Sequence, residues 1–166
     1  MAYVIVDPIL GAQPISETST TKKHPLGTVV RAADDTFGEG DFIYVQVSNS
    51  CAAFDAIAIK ATYKAAPLTV TNGQTAVETG FVQVAIGAKD SYVWAQKNGR
   101  PVIRLAASCE KDVKLYATAT GGVLDDATTS VLIAGLYATT SATNTAVATG
   151  TTCVSRFPVV VRNPVA

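Results

Sequence analysis

Short apolar runs alternate along the chain with clusters of turn-forming residues, in the pattern of strands joined by tight connections. Between Pro25 and Val47, the runs Thr28-Val29-Val30 and Phe42-Ile43-Tyr44-Val45, with Val47, flank a loop holding Asp34, Asp35, Gly38, Gly40 and Asp41. β-Branched and aromatic residues on both sides of a glycine-acid loop predict a β-hairpin. Ala56-Ile57-Ala58-Ile59 predicts a short strand and Phe81 to Ile86 a further one. Lys60 to Pro67 reads either as a helical turn or as an extended path into Asn72-Gly73, and Asn-Gly is the strongest short hairpin signal because both residues tolerate positive φ. A second such pair, Asn98-Gly99, lies between Tyr92–Gln96 and Pro101–Leu105 and predicts a second hairpin. A third is predicted around Thr120-Gly121-Gly122, between Val113–Thr118 and Val123-Leu124. Val131 to Tyr137 and Val154 to Val161 add apolar runs, the last confined by Pro158 to a sheet edge or a bulge.

No persuasive amphipathic helix interrupts these runs and no internal repeat is present. The pattern therefore predicts an all-β fold, a single β-sandwich or barrel-like domain, with the choice between the two left open. Period-two alternation puts Tyr92, Trp94 and Gln96 on one face of their strand and Val93 and Ala95 on the other. Trp94, the one tryptophan, is expected in the core, with an interface as the alternative. Residues 1–24 differ: Asp7-Pro8, Gly11 and Pro14 break the backbone, and Ser16 to Lys23 is polar. They predict an extended N-terminal arm preceding a β domain at 25–166, with Tyr3 to Val6 long enough for one short strand. Ile5, Ile9, Leu10 and Ile15 give the arm an aliphatic content unusual for a floppy tail, so these four are the candidate contacts to a partner protein or a second copy. Thr139 to Thr152, rich in Thr, Ala, Ser and Gly, predicts an extended surface segment or a contact arm.

Composition narrows the functional classes. Hydrophobic residues make up 48% and charged residues 16% of the 166, against about 25% charged in an ordinary domain. With a mean hydropathy of +0.27, that balance predicts apolar surface in contact with a partner. A net charge of zero, with lysines and arginines scattered singly, removes the electrostatic attraction that dominates nucleic-acid binding. The first eight residues lack a basic region and a long apolar stretch, and no run approaches the length of a membrane span, so the expectation is a product that stays in the cytoplasm where it is made. Cys51, Cys109 and Cys153 are odd in number and far apart, which predicts reduced, buried thiols.

Catalytic chemistry has little to rest on. His24, the one histidine, sits next to Pro25 in the polar part of the arm, a poor setting for a general base. Asp34-Asp35 and Asp125-Asp126 are paired carboxylates, but neither lies in a calcium-loop pattern, and aspartate is common in turns because it caps the local backbone. One histidine and three dispersed cysteines give no zinc spacing. Gly38-x-Gly40 and Gly121-Gly122 read as turns rather than anion cradles, since no helix is predicted after them. No enzyme activity, cofactor or metal is expected.

The order of elements resembles the small head decoration, or cement, proteins of tailed bacteriophages. The resemblance is carried by Pro25-Leu26-Gly27-Thr28 with the following glycine-acid turn and Asp41-Phe42-Ile43-Tyr44, an Asp-centred turn before the strand Asp55–Ile59, Tyr92-x-Trp94-x-Gln96, and Leu115-Tyr116-Ala117-Thr118 running to Gly122, and it spans roughly Pro25 to Tyr137. It implies a structural virion protein on the outer capsid surface, made in the host cytoplasm, that bridges copies of the major capsid protein as a homo-oligomer, a dimer or trimer, without nucleic acid or membrane as partner. The alternative is a receptor- or carbohydrate-binding β module of a head fibre or tail, in which Tyr63, Tyr92, Trp94 and Tyr137 would stack on sugars. A hydrolase comes third.

Overall fold

In the computed structural model, which describes residues 3–7, 11–139, 151–152 and 159–162, the ten-residue strand Gly38–Val47 is shared by three neighbours. The described strands in chain order are β1 (Val4–Ile5), β2 (Val29–Asp34), β3 (Gly38–Val47), β4 (Ala56–Ile59), β5 (Lys64–Pro67), β6 (Glu78–Val82), β7 (Ser91–Gln96), β8 (Val102–Ile103), β9 (Leu115–Ala117), β10 (Leu124–Asp125), β11 (Val131–Ala134), β12 (Thr151–Thr152) and β13 (Val159–Arg162), with one helical turn, α1, at Val70–Gly73. β3 pairs antiparallel with β2 through the predicted hairpin, antiparallel with β7, and parallel with β5 at Gln46 and Val47. β5, β4, β6 and β7 complete the circuit and close a five-stranded barrel. β1 and β2 continue outward from it as a ribbon, a second sheet has the order β10-β9-β11-β13, and β8 pairs with β12. The all-β expectation holds, and its open choice resolves to a barrel with added strands.

Alternation along the barrel strands sorts side chains between three apolar clusters. Ile43, Val45 and Val47 of β3, Ile57 and Ile59 of β4, Val82 of β6 and Val93 and Ala95 of β7 fill the lumen. Residues of opposite parity point outward, and they are buried too. Ala56, Ala58 and Phe81 lie under the second sheet with Leu115, Leu124, Val131 and Ile133. Phe42, Tyr44 and Trp94 lie under the N-terminal segment with Tyr3, Ile15, Val30 and Ala32. Strands covered on both faces read as continuous apolar runs, which is why Ala56–Ile59 carries no polar position. Trp94 is in the core, with no exposed surface.

Two of the three expected glycine-turn hairpins need correction. At Asn72-Gly73 the chain makes α1 instead: Thr69 caps the turn by accepting from the Asn72 N–H at 3.2 Å, and the Asn72 side-chain oxygen accepts from the Thr69 N–H at 2.8 Å. This reciprocal capping box outcompetes a left-handed turn. Gly73 is required for close approach, since a Cβ there would lie 2.7 Å from Val131 Cγ1. At Asn98-Gly99 the flanking strands part company, β7 going to β3 and β6 while β8 goes to β12. Asn98 instead clamps the start of β3, accepting from the Asp41 N–H and donating to the Asp41 carboxylate, each at 2.6 Å. The Thr120–Gly122 hairpin forms, joining β9 to β10. Lys60 to Pro67 ends in the extended strand β5. Of the run Phe81 to Ile86 only Phe81 and Val82 are regular strand, although Ile86 makes an isolated bridge to Cys51. Of Val154 to Val161 the described part is the start of β13, and most of Thr139 to Thr152 lies outside the described residues.

The arm is also corrected. Its described residues belong to the barrel's outer layer: β1 pairs with β2, and Tyr3 and Ile15 are buried in the cluster around Trp94. Within the described chain, the boundary at residue 24 is a change of backbone regularity and not an edge of the packed core.

Candidate interaction surface

The ribbon formed by β1 and β2 presents one apolar face outward. Along β2, Val30 and Ala32 are buried while Val29 and Arg31 are exposed, so the strand has an inner and an outer side. Val4 stands opposite Ala33, and Val6 donates its N–H to the Arg31 carbonyl at 3.0 Å, so register places Val4, Val6, Val29 and Arg31 on the outer side. Val4, Val6 and Val29 are 66%, 52% and 50% exposed. Arg31 lies among them, surrounded by the carboxylates of Asp7, Glu39 and Asp41. Arg31 reaches Asp41 at 3.4 Å and Glu39 at 4.0 Å, exposed pairs that add little to stability, while the Asp7 carboxylate accepts from the Arg31 N–H at 2.6 Å and pins the end of β1.

Residues 11–24 form a strap across β3 and β7, and Gln13 is its fastener. Trp94 Nε1 donates to the Gln13 carbonyl at 2.7 Å, and the Tyr44 hydroxyl donates to Gln13 Oε1 at 2.9 Å. Gln13 Nε2 donates to the carbonyls of Glu17 at 2.7 Å and Tyr92 at 3.3 Å, and the Gln13 N–H donates to His24 Nε2 at 3.0 Å. Further along, Ser19 and Tyr92 exchange backbone bonds at 3.1 and 2.7 Å. A buried amide using this many of its donors and acceptors matches the rule that buried polar groups are paired. The rings add specific contacts, with Tyr44 4.8 Å from Trp94 and Tyr3 edge-on to Phe42 at 5.0 Å.

The candidate contacts divide. Ile15 is 2% exposed, which corrects its assignment as an outward contact: its side chain is already used in the protein's own core. Ile5 is half-buried against the same cluster, and Ile9 and Leu10 lie outside the described residues. A shallow groove is lined by Tyr3, Ile5, Ala12, Pro14 and Ile15. Val77 and Tyr137 are exposed elsewhere among the described residues, and the apolar side chains exposed on the ribbon are Val4, Val6 and Val29. Sequence reasoning missed them because valines that alternate in a strand look like core until the register shows which parity faces in.

Titratable groups serve the fold. Asp34 Oδ1 accepts from the Thr36 and Phe37 N–H groups at 2.8 and 3.0 Å, the turn-capping role expected of it. Asp55, 2% exposed, accepts from the Ala52 N–H at 2.7 Å and Arg104 Nη1 at 2.6 Å; burial raises its pKa, opposed by Arg104. Cys109, Asp125 and Asp126 place one potential ligand atom each within 4.8 Å of one another. Asp126 already accepts from the Glu110 N–H and Asp125 from the Asp126 N–H, both at 3.0 Å, and burial with the neighbouring carboxylates pushes the Cys109 thiol up to about 11. Burial first, then Asp55, pushes Cys51 up to about 12. Cys51 and Cys109 are free thiols; Cys153 lies outside the described residues. No helix of the described residues is long and apolar enough to cross a membrane.

No protein-family model matches the chain, and no curated protein matches it significantly in sequence.

Proposed function

We propose that this chain is a capsid decoration protein of a tailed bacteriophage, binding the outer surface of the head and bridging copies of the major capsid protein as a homo-oligomer. The observation that carries the reading is the outward valine face of the β1–β2 ribbon, where three of the five exposed large apolar side chains among the described residues lie together. Exposed apolar surface grouped on one element marks a site of contact with another protein. The resemblance of Pro25 to Tyr137 to cement proteins supplies the identity of that partner. Each contact would be small, and bridging several subunits at once would convert small contacts into firm attachment. The glycan-binding alternative has less support, because its stacking residues are not presented together: Trp94 has no exposed surface, Tyr92 packs parallel to Tyr44, and of the four only Tyr137 is exposed.

The test is co-sedimentation with mature heads of the phage that encodes the chain. The wild type is expected to pellet with heads. A triple Val4→Thr, Val6→Thr, Val29→Thr variant, which keeps β-branched shape, is expected to retain the wild-type circular dichroism spectrum and lose at least ~10-fold in occupancy, since each buried valine contributes about 1.5 kcal/mol or more. Equal binding by the triple variant, or no binding by the wild type, overturns the proposal.

A further inference from the structure

We infer that the outer face of the β1–β2 ribbon takes a partner surface bearing lysine or arginine beside an apolar strip, and not a second copy of this chain. The inference rests on the capsid reading and adds to it the chemistry of the surface that receives the ribbon. Register arranges the face in rows. Val4 of β1, Ala33 of β2 and Glu39 of β3 stand abreast, and Val6, Arg31 and Asp41 stand abreast in the same way. Side chains directly opposite on neighbouring antiparallel strands share a face. Val4 and Val6 therefore form a column along the outer edge, the two carboxylates form another along β3, and Arg31 stands between them. Val29 is the next β2 position of the same parity.

The fold itself uses these carboxylates unequally. Asp41 is committed, since Asn98 donates to its carboxylate at 2.6 Å and Arg31 Nε lies 3.4 Å from it. Glu39 is not. Its side chain is 67% exposed and its contact with Arg31 Nη1 is 4.0 Å long, a pair worth little to stability. One guanidinium thus faces three carboxylates, those of Asp7, Glu39 and Asp41, and the face keeps a surplus of two negative charges. Lys97, whose N–H bonds to the Asp41 carbonyl, turns its ammonium to Glu78 at 2.5 Å, and Arg100 makes no ion pair with this face among the described residues. In an isologous dimer the same patch meets itself, so a second copy doubles the surplus wherever the two Arg31 side chains go. Like charges brought together across an interface reject a partner, and opposite charges select one. The valines offer apolar area to either partner, and the acidic column decides between them. The homo-oligomer of the capsid reading is therefore built through another face.

The experiment is co-sedimentation of the full chain with heads of the encoding phage at about 0.1 M and about 1 M NaCl, between which the screening length falls from roughly 10 Å to 3 Å. The wild type is compared with Glu39→Gln, Glu39→Lys and Glu110→Lys, the last making the same change in net charge on the loop before β9. All should keep the wild-type circular dichroism spectrum. At low salt, Glu39→Gln is expected to weaken head affinity by up to about fivefold and Glu39→Lys by about tenfold or more, with Glu110→Lys at the wild-type value. The differences should shrink at high salt. Equal or tighter binding by Glu39→Lys, or an equal loss in Glu110→Lys, overturns the inference and leaves the capsid reading in place. So does sedimentation equilibrium in which the wild type is an oligomer and the Val4→Thr, Val6→Thr, Val29→Thr variant a monomer, because the ribbon then meets a second copy. No binding of the wild type to heads removes the capsid reading and this inference with it.

Discussion

Asp55 and Gly122 form a joint between the barrel and the second sheet. The Asp55 carboxylate holds Arg104 and the Ala52 N–H, while Gly122 accepts from the Ala56 N–H and donates to Leu68, both at 2.9 Å. Gly122 has φ +79°, and a Cβ on it would overlap the Asp55 carboxylate. Backbone and side-chain constraints thus act on one atom position. Gly122→Ala should destabilise the protein by about 3 kcal/mol, combining roughly 1–2 kcal/mol for a left-handed alanine with displacement of a buried ion-pair partner. Urea unfolding should show this as a lower midpoint with an unchanged slope. The sequence marks Gly121-Gly122 as a turn, and the turn is there. That one of these glycines makes room for a carboxylate 67 residues earlier depends on tertiary packing, which leaves no local trace.

Elements whose partners are near in sequence were legible, and those with distant partners were not. The β2–β3 hairpin follows from residues within 20 positions of one another. The strap has its apolar residues scattered between Gly11, Pro14 and a polar run, so it shows neither strand nor helix period, and its partners Tyr44 and Trp94 lie 31 and 81 residues beyond Gln13. The Asn-Gly pairs misled for a related reason. Asparagine caps and clamps as well as it turns, and the surroundings decide which. Because the strap covers Phe42, Tyr44 and Trp94, it is structural. Ile15→Ala should cost about 2–4 kcal/mol. Deleting residues 1–24 should leave the Trp94 indole and Tyr44 hydroxyl without their Gln13 partners, giving red-shifted tryptophan emission, ready acrylamide quenching and a lower unfolding midpoint than Ile15→Ala alone.

At the scale of the whole molecule, the low charge and high hydrophobic content have an internal explanation: a five-stranded barrel filled within and covered on two outer faces needs apolar residues at both parities of its strands. The candidate interaction surface is then a small exception on the outer ribbon, too small to read from composition. Layered burial also protects the thiols. With pKa values pushed up to about 12 and 11, Cys51 and Cys109 should be labelled by a thiol reagent at pH 8 at least ~100-fold more slowly in native protein than in denaturant, with sites assigned by peptide mass. The separation between Gln13 and Trp94 has a further consequence during synthesis. At 5–20 residues per second, the 81 positions from Gln13 on to Trp94 take roughly 4–16 seconds to translate, so the strap leaves the ribosome well before its seat is complete. Until β7 emerges, Tyr3 and Ile15 have only the β2–β3 part of their cluster to pack on, and a nascent chain of this kind is open to chaperones and to its neighbours on the same message.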